Sequence, residues 1–174
     1  MGLLSRSRTA LVVVDVQEGF RSYDSFADVA AACAKLLEAA RIMQLRVLVS
    51  EQYPKGLGHT VPEVGELPQA PIEKTVFSAV RAAGFDLHGC DQVLVCGIEA
   101  HVCVSQTVHD LLNRGTEVHV AADAVASRHE IDYRLALERM QRAGAVVTSV
   151  EAALFELLER AGTPEFKAVQ KLII

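Results

Sequence analysis

Three residues of this chain carry side chains suited to acyl transfer, and they lie far apart in sequence: Asp15, Lys74 and Cys103. A thiolate is a strong nucleophile, a carboxylate can accept the thiol proton, and an ammonium can stabilise both the thiolate and an anionic intermediate. Cys103 stands within Gln92 to Gly115, QVLVCGIEAHVCVSQTVHDLLNRG, which reads as a strand, a tight turn and a helix. Val93, Leu94, Val95 and Cys96 form a short apolar run, while Val104, Val108, Leu111 and Leu112 recur at helical spacing until Gly115 stops the pattern. A cysteine in the first turn of a helix faces the positive end of the macrodipole and unpaired N–H groups, and both favour thiolate over thiol. On this segment alone an inert, buried cysteine fits as well. Asp15 could equally cap a turn, and Lys74 alone fits a solvated surface lysine. Their joint placement at strand ends is what favours a site.

The elements that must position them follow in order. Thr9 to Val16 holds Leu11, Val12, Val13 and Val14 without alternation, as in a strand covered on both faces of a parallel sheet, and Asp15 stands at its end. Phe26 to Gln44 has helical spacing and Leu45 to Ser50 is a second strand, together one right-handed βαβ unit. Glu51 to Pro71 is rich in proline and glycine and shows neither period; such long loops are more often functional than idle. Pro71 to Val76 is a short strand bearing Lys74, and Ser78 to Phe85 a short helix. Glu117 to Ala121 forms another strand, with Asp123 just beyond. The helix over Glu130 to Ala143 is expected to turn Ile131, Leu135 and Met140 inward, with Gly144 as its stop. Ala145 to Thr148 is the last strand, followed by a helix over Glu151 to Ala161 and another capped by Thr163 with Pro164 at its first position. This alternation predicts an α/β fold: one domain over residues 1–174, a three-layer doubly wound sheet of about six mostly parallel strands with helices on both faces. Ligands of such sheets bind outside the carboxyl ends of the strands, which is where the three residues fall.

A chain of 174 residues with a net charge of −5 and 51% hydrophobic content suits one ordinary domain. Its dispersed basic residues leave no electrostatic footprint for nucleic acid, and its apolar runs are too short to span a membrane, so neither partner is expected. The first strand begins too soon for a cleavable signal peptide, and Arg6 stands where a myristoylation signal needs Ser or Thr. Cys33, Cys90, Cys96 and Cys103 include no C-x-x-C pair, which makes a reducing, cytoplasmic compartment the default. The apolar tail Lys171-Leu172-Ile173-Ile174 suggests a homo-oligomer.

Three stretches together give the chain a family resemblance: Leu11-Val12-Val13-Val14-Asp15-Val16-Gln17, Glu73-Lys74-Thr75-Val76-Phe77-Ser78, and Cys96-Gly97-Ile98-Glu99-Ala100-His101-Val102-Cys103-Val104. In this order they resemble the isochorismatase-like cysteine hydrolases, the superfamily that also contains nicotinamidases and N-carbamoylsarcosine amidohydrolase. The likeness covers nearly the whole chain. Glu51-Gln52-Tyr53-Pro54-Lys55-Gly56-Leu57-Gly58 and Asp123-Ala124-Val125-Ala126-Ser127-Arg128 look closest to the subgroup called isochorismatase domain-containing proteins. The resemblance implies strand order 3-2-1-4-5-6 and a triad of Asp15, Lys74 and Cys103. It further implies an oxyanion hole from the backbone N–H groups of Glu99 and Cys103, a cis peptide between Ile98 and Glu99, and a small-molecule substrate. Gln17, Phe20, Tyr53, Phe77 and Ile98 adjoin these motifs closely enough to line a pocket. Phe20 and Phe77 fit ordinary core equally well, and Gln17 could instead brace Asp15 or the entering chain.

Two departures narrow the expected activity. Nicotinamidases place an Asp-x-His group and a further histidine after the second strand to hold a metal, whereas Glu51-Gln52-Tyr53 stands here; Glu51 and His59 would make a poor zinc site. Neither a catalytic metal nor another cofactor is expected. Isochorismatases proper lack the nucleophilic cysteine. The expectation is a metal-independent cysteine hydrolase that cleaves a small amide or related C–N bond through a thioester. The competing readings are a catalytically weak binding or scaffold protein retaining the fold, and a redox-sensing thiol with Cys96 as the nearest partner in sequence. His101 and His109 are expected at a surface or interface, and Glu99 either contacts substrate or favours the helix N-terminus.

Overall fold

Uninterrupted apolar strands need cover on both faces, and the fold supplies it. In the computed structural model, which describes residues 2–174, six strands form one sheet: β1 (Thr9–Val14), β2 (Arg46–Gln52), β3 (Ile72–Lys74), β4 (Gln92–Ile98), β5 (Glu117–Ala126) and β6 (Val146–Thr148). Their order is β3-β2-β1-β4-β5-β6, every neighbouring pair is parallel, and so the expected topology is the one found. Alternate residues of β1 enter opposite cores. Leu11 and Val13 join the layer built on α1 (Phe26–Met43), α5 (Val150–Leu158) and α6 (Pro164–Ile173). Val12 and Val14 join the layer of α3 (Ser105–Asn113) and α4 (Glu130–Ala143). Strand order reverses between β1 and β4, so the carboxyl ends of these two central strands flank the crevice where such sheets bind ligands.

The close approach of β4 to β1 dictates Gly97. Its φ is +122°, and a Cβ there would lie 1.9 Å from the Val14 carbonyl oxygen. Only glycine fits, and the β4–β5 register shifts at the same point, between Val95 and Gly97.

Several local expectations change. The helix expected over Ser78 to Phe85 is only a 3-10 turn, Ala79–Arg81, because so short a segment gains too few bonds to offset nucleation. On α4, Ile131 and Leu135 are half exposed rather than inward. The helix is rotated so that Ala136 and Met140 are buried with Tyr133 and Leu137 beside them, and the Tyr133 hydroxyl donates to Ala122 O at 2.9 Å. The long loop after β2 is broken up by a one-turn helix, α2 (Pro54–Leu57), and by a 3-10 turn at Pro62–Val64, and Val61 and Val64 anchor it in the core. In the tail, Leu172 and Ile173 pack against the α1 layer and Ile174 alone stands out. Thr163 caps α6 as expected, its hydroxyl accepting from Phe166 N at 3.0 Å. Among the described residues no helix is long and apolar enough to cross a membrane.

Candidate active site

Asp15 immediately follows β1 in a left-handed conformation, φ +53°, which aspartate tolerates better than most residues. Its N–H donates to Ser50 O at 3.1 Å, and its Oδ1 accepts from the Ser50 hydroxyl at 2.7 Å. The other carboxylate oxygen accepts from Lys74 Nζ at 2.6 Å. Both side chains of this pair are completely buried. Such a charge pair persists away from water only when its hydrogen bonds are complete. Lys74 meets that condition, because its remaining two protons go to Gln52 Oε1 at 2.8 Å and Phe77 O at 3.0 Å.

Cys103 reaches this pair from β4. After the cis peptide Ile98–Glu99, Ala100–Val104 form a wide π-type turn that runs directly into α3, and Cys103 lies in this opening turn of the helical stretch, as expected. Thr107 fixes the turn: its hydroxyl donates to Cys103 O at 2.7 Å and accepts from Ala79 N at 2.9 Å. Cys103 is 5% exposed, and its sulfur lies 3.9 Å from Gln52 Oε1. Burial pushes its pKa up to about 12; the Asp15 carboxylate adds to the rise and Lys74 only partly offsets it. Burial and the carboxylate both favour the thiol form. Lys74 favours the thiolate, but loss of solvent outweighs it.

The structure sorts the other candidates. Gln17 is fully buried and braces the loop: its Nε2 donates to Gln52 O at 3.0 Å and Gly58 O at 2.6 Å, and its Oε1 accepts from Gln52 N at 2.7 Å. It makes no hydrogen bond to the Asp15 carboxylate. Phe20, expected to wall a pocket, is core, edge-on to Tyr23 with ring centroids 5.5 Å apart. The Ile98 side chain is likewise packed in the α1 layer. Tyr53 and Phe77 are half exposed. Glu99 accepts from the Tyr23 hydroxyl at 2.8 Å, and the Arg128 guanidinium sits over the Tyr23 ring. His101 Nδ1 meets Ser127 Oγ at 2.9 Å and His109 Nδ1 meets Ser105 O at 2.7 Å, so each ring is held by a partner other than the thiol.

No group of three or more histidine, cysteine, aspartate or glutamate side chains is placed to hold a metal among the described residues. Glu51 and His59 do meet, at 3.0 Å, but Thr60 occupies the other Glu51 oxygen through its N–H and its hydroxyl, at 2.6 and 2.8 Å. Burial raises the Glu51 pKa, and these donors outweigh that effect and bring it below the usual value.

Ser50 and Gln52 were missed as site residues. Neither is ionisable, and only the pairing of β2 with β1 and β3 brings them beside Asp15 and Lys74. The polar Ser50-Glu51-Gln52 run closing an apolar strand was the available signal.

Comparison with known proteins supports the family and the fold. The isochorismatase domain family matches residues 9–152. Isochorismatase domain-containing protein 2 of Danio rerio is 42% identical over 178 residues, covering 99% of this chain and 90% of that protein. A solved structure described as MAR1 ribonuclease from Caenorhabditis elegans is 42% identical with a TM-score of 0.91, over 99% of this chain and 92% of its own. YcaC from Pseudomonas aeruginosa, solved with hexane-2,5-diol and covalent acrylamide, is 26% identical with a TM-score of 0.82, over 98% of this chain and 91% of its own. By sequence, strand order and fold, the chain belongs to the isochorismatase-like hydrolase family.

Proposed function

We propose that this chain is a cysteine hydrolase that cleaves a small amide or related C–N bond through a thioester and needs no metal for it. The observation that carries the reading is the buried Lys74–Asp15 pair at 2.6 Å, set beside the Cys103 turn at the strand ends. Asp15 takes the thiol proton as sulfur attacks the carbonyl carbon, and the backbone N–H groups of Glu99 and Cys103 receive the oxyanion. The C–N bond breaks, the proton passes from Asp15 to the leaving amine, and an acyl thioester remains. Water then attacks the thioester with Asp15 as base, which releases the acid and restores the thiol. Lys74 keeps Asp15 oriented and offsets negative charge. Cys103 at 5% exposure suits a small substrate.

The test is mass spectrometry after exposure to a panel of amides, with acrylamide, which the Pseudomonas protein carries covalently, as the alkylation control, because its conjugate addition to a thiol gives a thioether and no acyl adduct. An acyl adduct that maps to Cys103, with turnover lost in Cys103→Ala, is the expected result. Full turnover in Cys103→Ala overturns the mechanism. A scaffold protein would form no acyl adduct, and a redox sensor would instead give rapid sulfenic acid with peroxide. The name of the nematode relative makes RNA one arm of the panel. We read against it here, since a net charge of −5 and a fully engaged Lys74 offer phosphates little.

Four free cysteines suit a cytoplasmic setting. We also propose self-association, with the half-exposed Ile131 and Leu135 one turn apart on α4 as the apolar contact in place of the tail. Sedimentation showing only monomer at micromolar concentration would overturn it.

A further inference from the structure

The side chain of Gln52 reaches both Lys74 and Cys103, and its orientation is determined by its partners. Lysine can only donate and a backbone carbonyl can only accept, so the oxygen must face Lys74 Nζ, at 2.8 Å, and the nitrogen must face Thr75 O, at 3.0 Å. The backbone of Gln52 is held just as firmly, because Gln17 takes its N–H at 2.7 Å and donates to its C=O at 3.0 Å. Gln17 determines its own orientation by the same logic. The result is a rigid acceptor that faces the Cys103 sulfur at 3.9 Å.

Two consequences follow for the sulfur. Oε1 accepts from S–H but can offer a thiolate nothing but its own negative end, so it favours the protonated form. It also engages one Lys74 proton, with Asp15 and Phe77 O on the other two, so that the lysine shares with three oxygens the donors it could offer the sulfur. The charged groups facing the thiol are Asp15 from the end of β1 and Lys74 from the end of β3. On its own turn, Glu99 points to Tyr23 and His101 to Ser127.

We propose that Gln52 is a positioning residue that directs Lys74 toward Asp15 and keeps Cys103 as a thiol until substrate displaces that arrangement. The inference rests on Cys103 as the reactive group, yet its consequence is read on the thiol itself without any substrate.

The experiment compares wild type, Gln52→Met, Gln52→Ala and Gln52→Glu by the rate of iodoacetamide alkylation at the Cys103 peptide, followed by mass spectrometry from pH 7 to 10. Met keeps the volume and removes the acceptor, so alkylation at pH 8 should speed up about tenfold, the change for one unit of thiol acidity. Ala should move the same way. Glu places a carboxylate by the sulfur and should slow alkylation about tenfold. Damage to the site would expose the thiol and speed all three variants, so a faster Gln52→Glu overturns the proposal, as does a change below twofold in Gln52→Met. If the opposed shifts hold while the amide panel shows no turnover, the hydrolase reading fails and this one stands.

Discussion

Replacing Lys74 with methionine tests whether the buried ion pair organises the site. The substitution keeps an unbranched side chain of similar reach but removes all three Nζ donors, leaving Asp15 with the Ser50 hydroxyl as its remaining side-chain partner and leaving Gln52 Oε1 and Phe77 O without their lysine. Because both partners are wholly buried, the stranded carboxylate should cost about 3–5 kcal/mol, against about 0–1 kcal/mol for breaking an exposed pair. At about 2 kcal/mol per molar urea, that lowers the unfolding midpoint by about 2 M. Equilibrium urea unfolding at pH 7, followed by circular dichroism, measures it directly. The double variant Lys74→Met with Asp15→Asn removes the stranded charge and should recover at least half of the loss, although turnover stays abolished in both. A single-variant loss under about 1 kcal/mol would refute the buried pair as drawn.

Further outcomes follow from the same geometry. Since burial pushes Cys103 up to about 12, wild-type alkylation by iodoacetamide should rise about tenfold per pH unit through pH 10. Levelling below pH 9 would contradict it. The same shift has a stability sign: a folded thiol titrating above its ordinary value of 9.0 contributes fully below that pH. That contribution is lost as pH rises toward 12, so Cys103→Ala should unfold with less alkaline sensitivity. Gly97→Ala drives a methyl to within 1.9 Å of Val14 O at a φ of +122°, and a thermal melt should show a loss of at least about 3 kcal/mol or no folded protein. Thr163→Ala removes the cap on Phe166 N and should cost about 1 kcal/mol in urea unfolding without altering Cys103 alkylation.

Much of this was legible in residue order. Leu11 to Val14 could be read as a strand covered on both faces because parallel sheets with two helical layers need no polar alternation, and Thr163-Pro164 as a helix start because the hydroxyl and the missing proline N–H suit that end. The α4 orientation was not legible. Apolar residues occupy more than one side of that helix: Met140 is buried as the spacing indicated, but packing set Ala136 and Tyr133 beside it and left Ile131 and Leu135 half exposed. The tail looked equally unpartnered until Leu172 and Ile173 were seen against α1.

By itself, the sequence determined the strand–helix alternation and the residue types at three strand ends, since hydrophobic period and turn chemistry are local properties of a chain. Tertiary structure alone decided what those residues share. The parallel pairing of β1, β2 and β3 sets Lys74 on Asp15 and inserts Gln52 beside both. Packing of the Cys103 turn into the layer of α3 and α4 also takes the thiol out of water and pushes its pKa up, because desolvation depends on what the whole fold packs around a group.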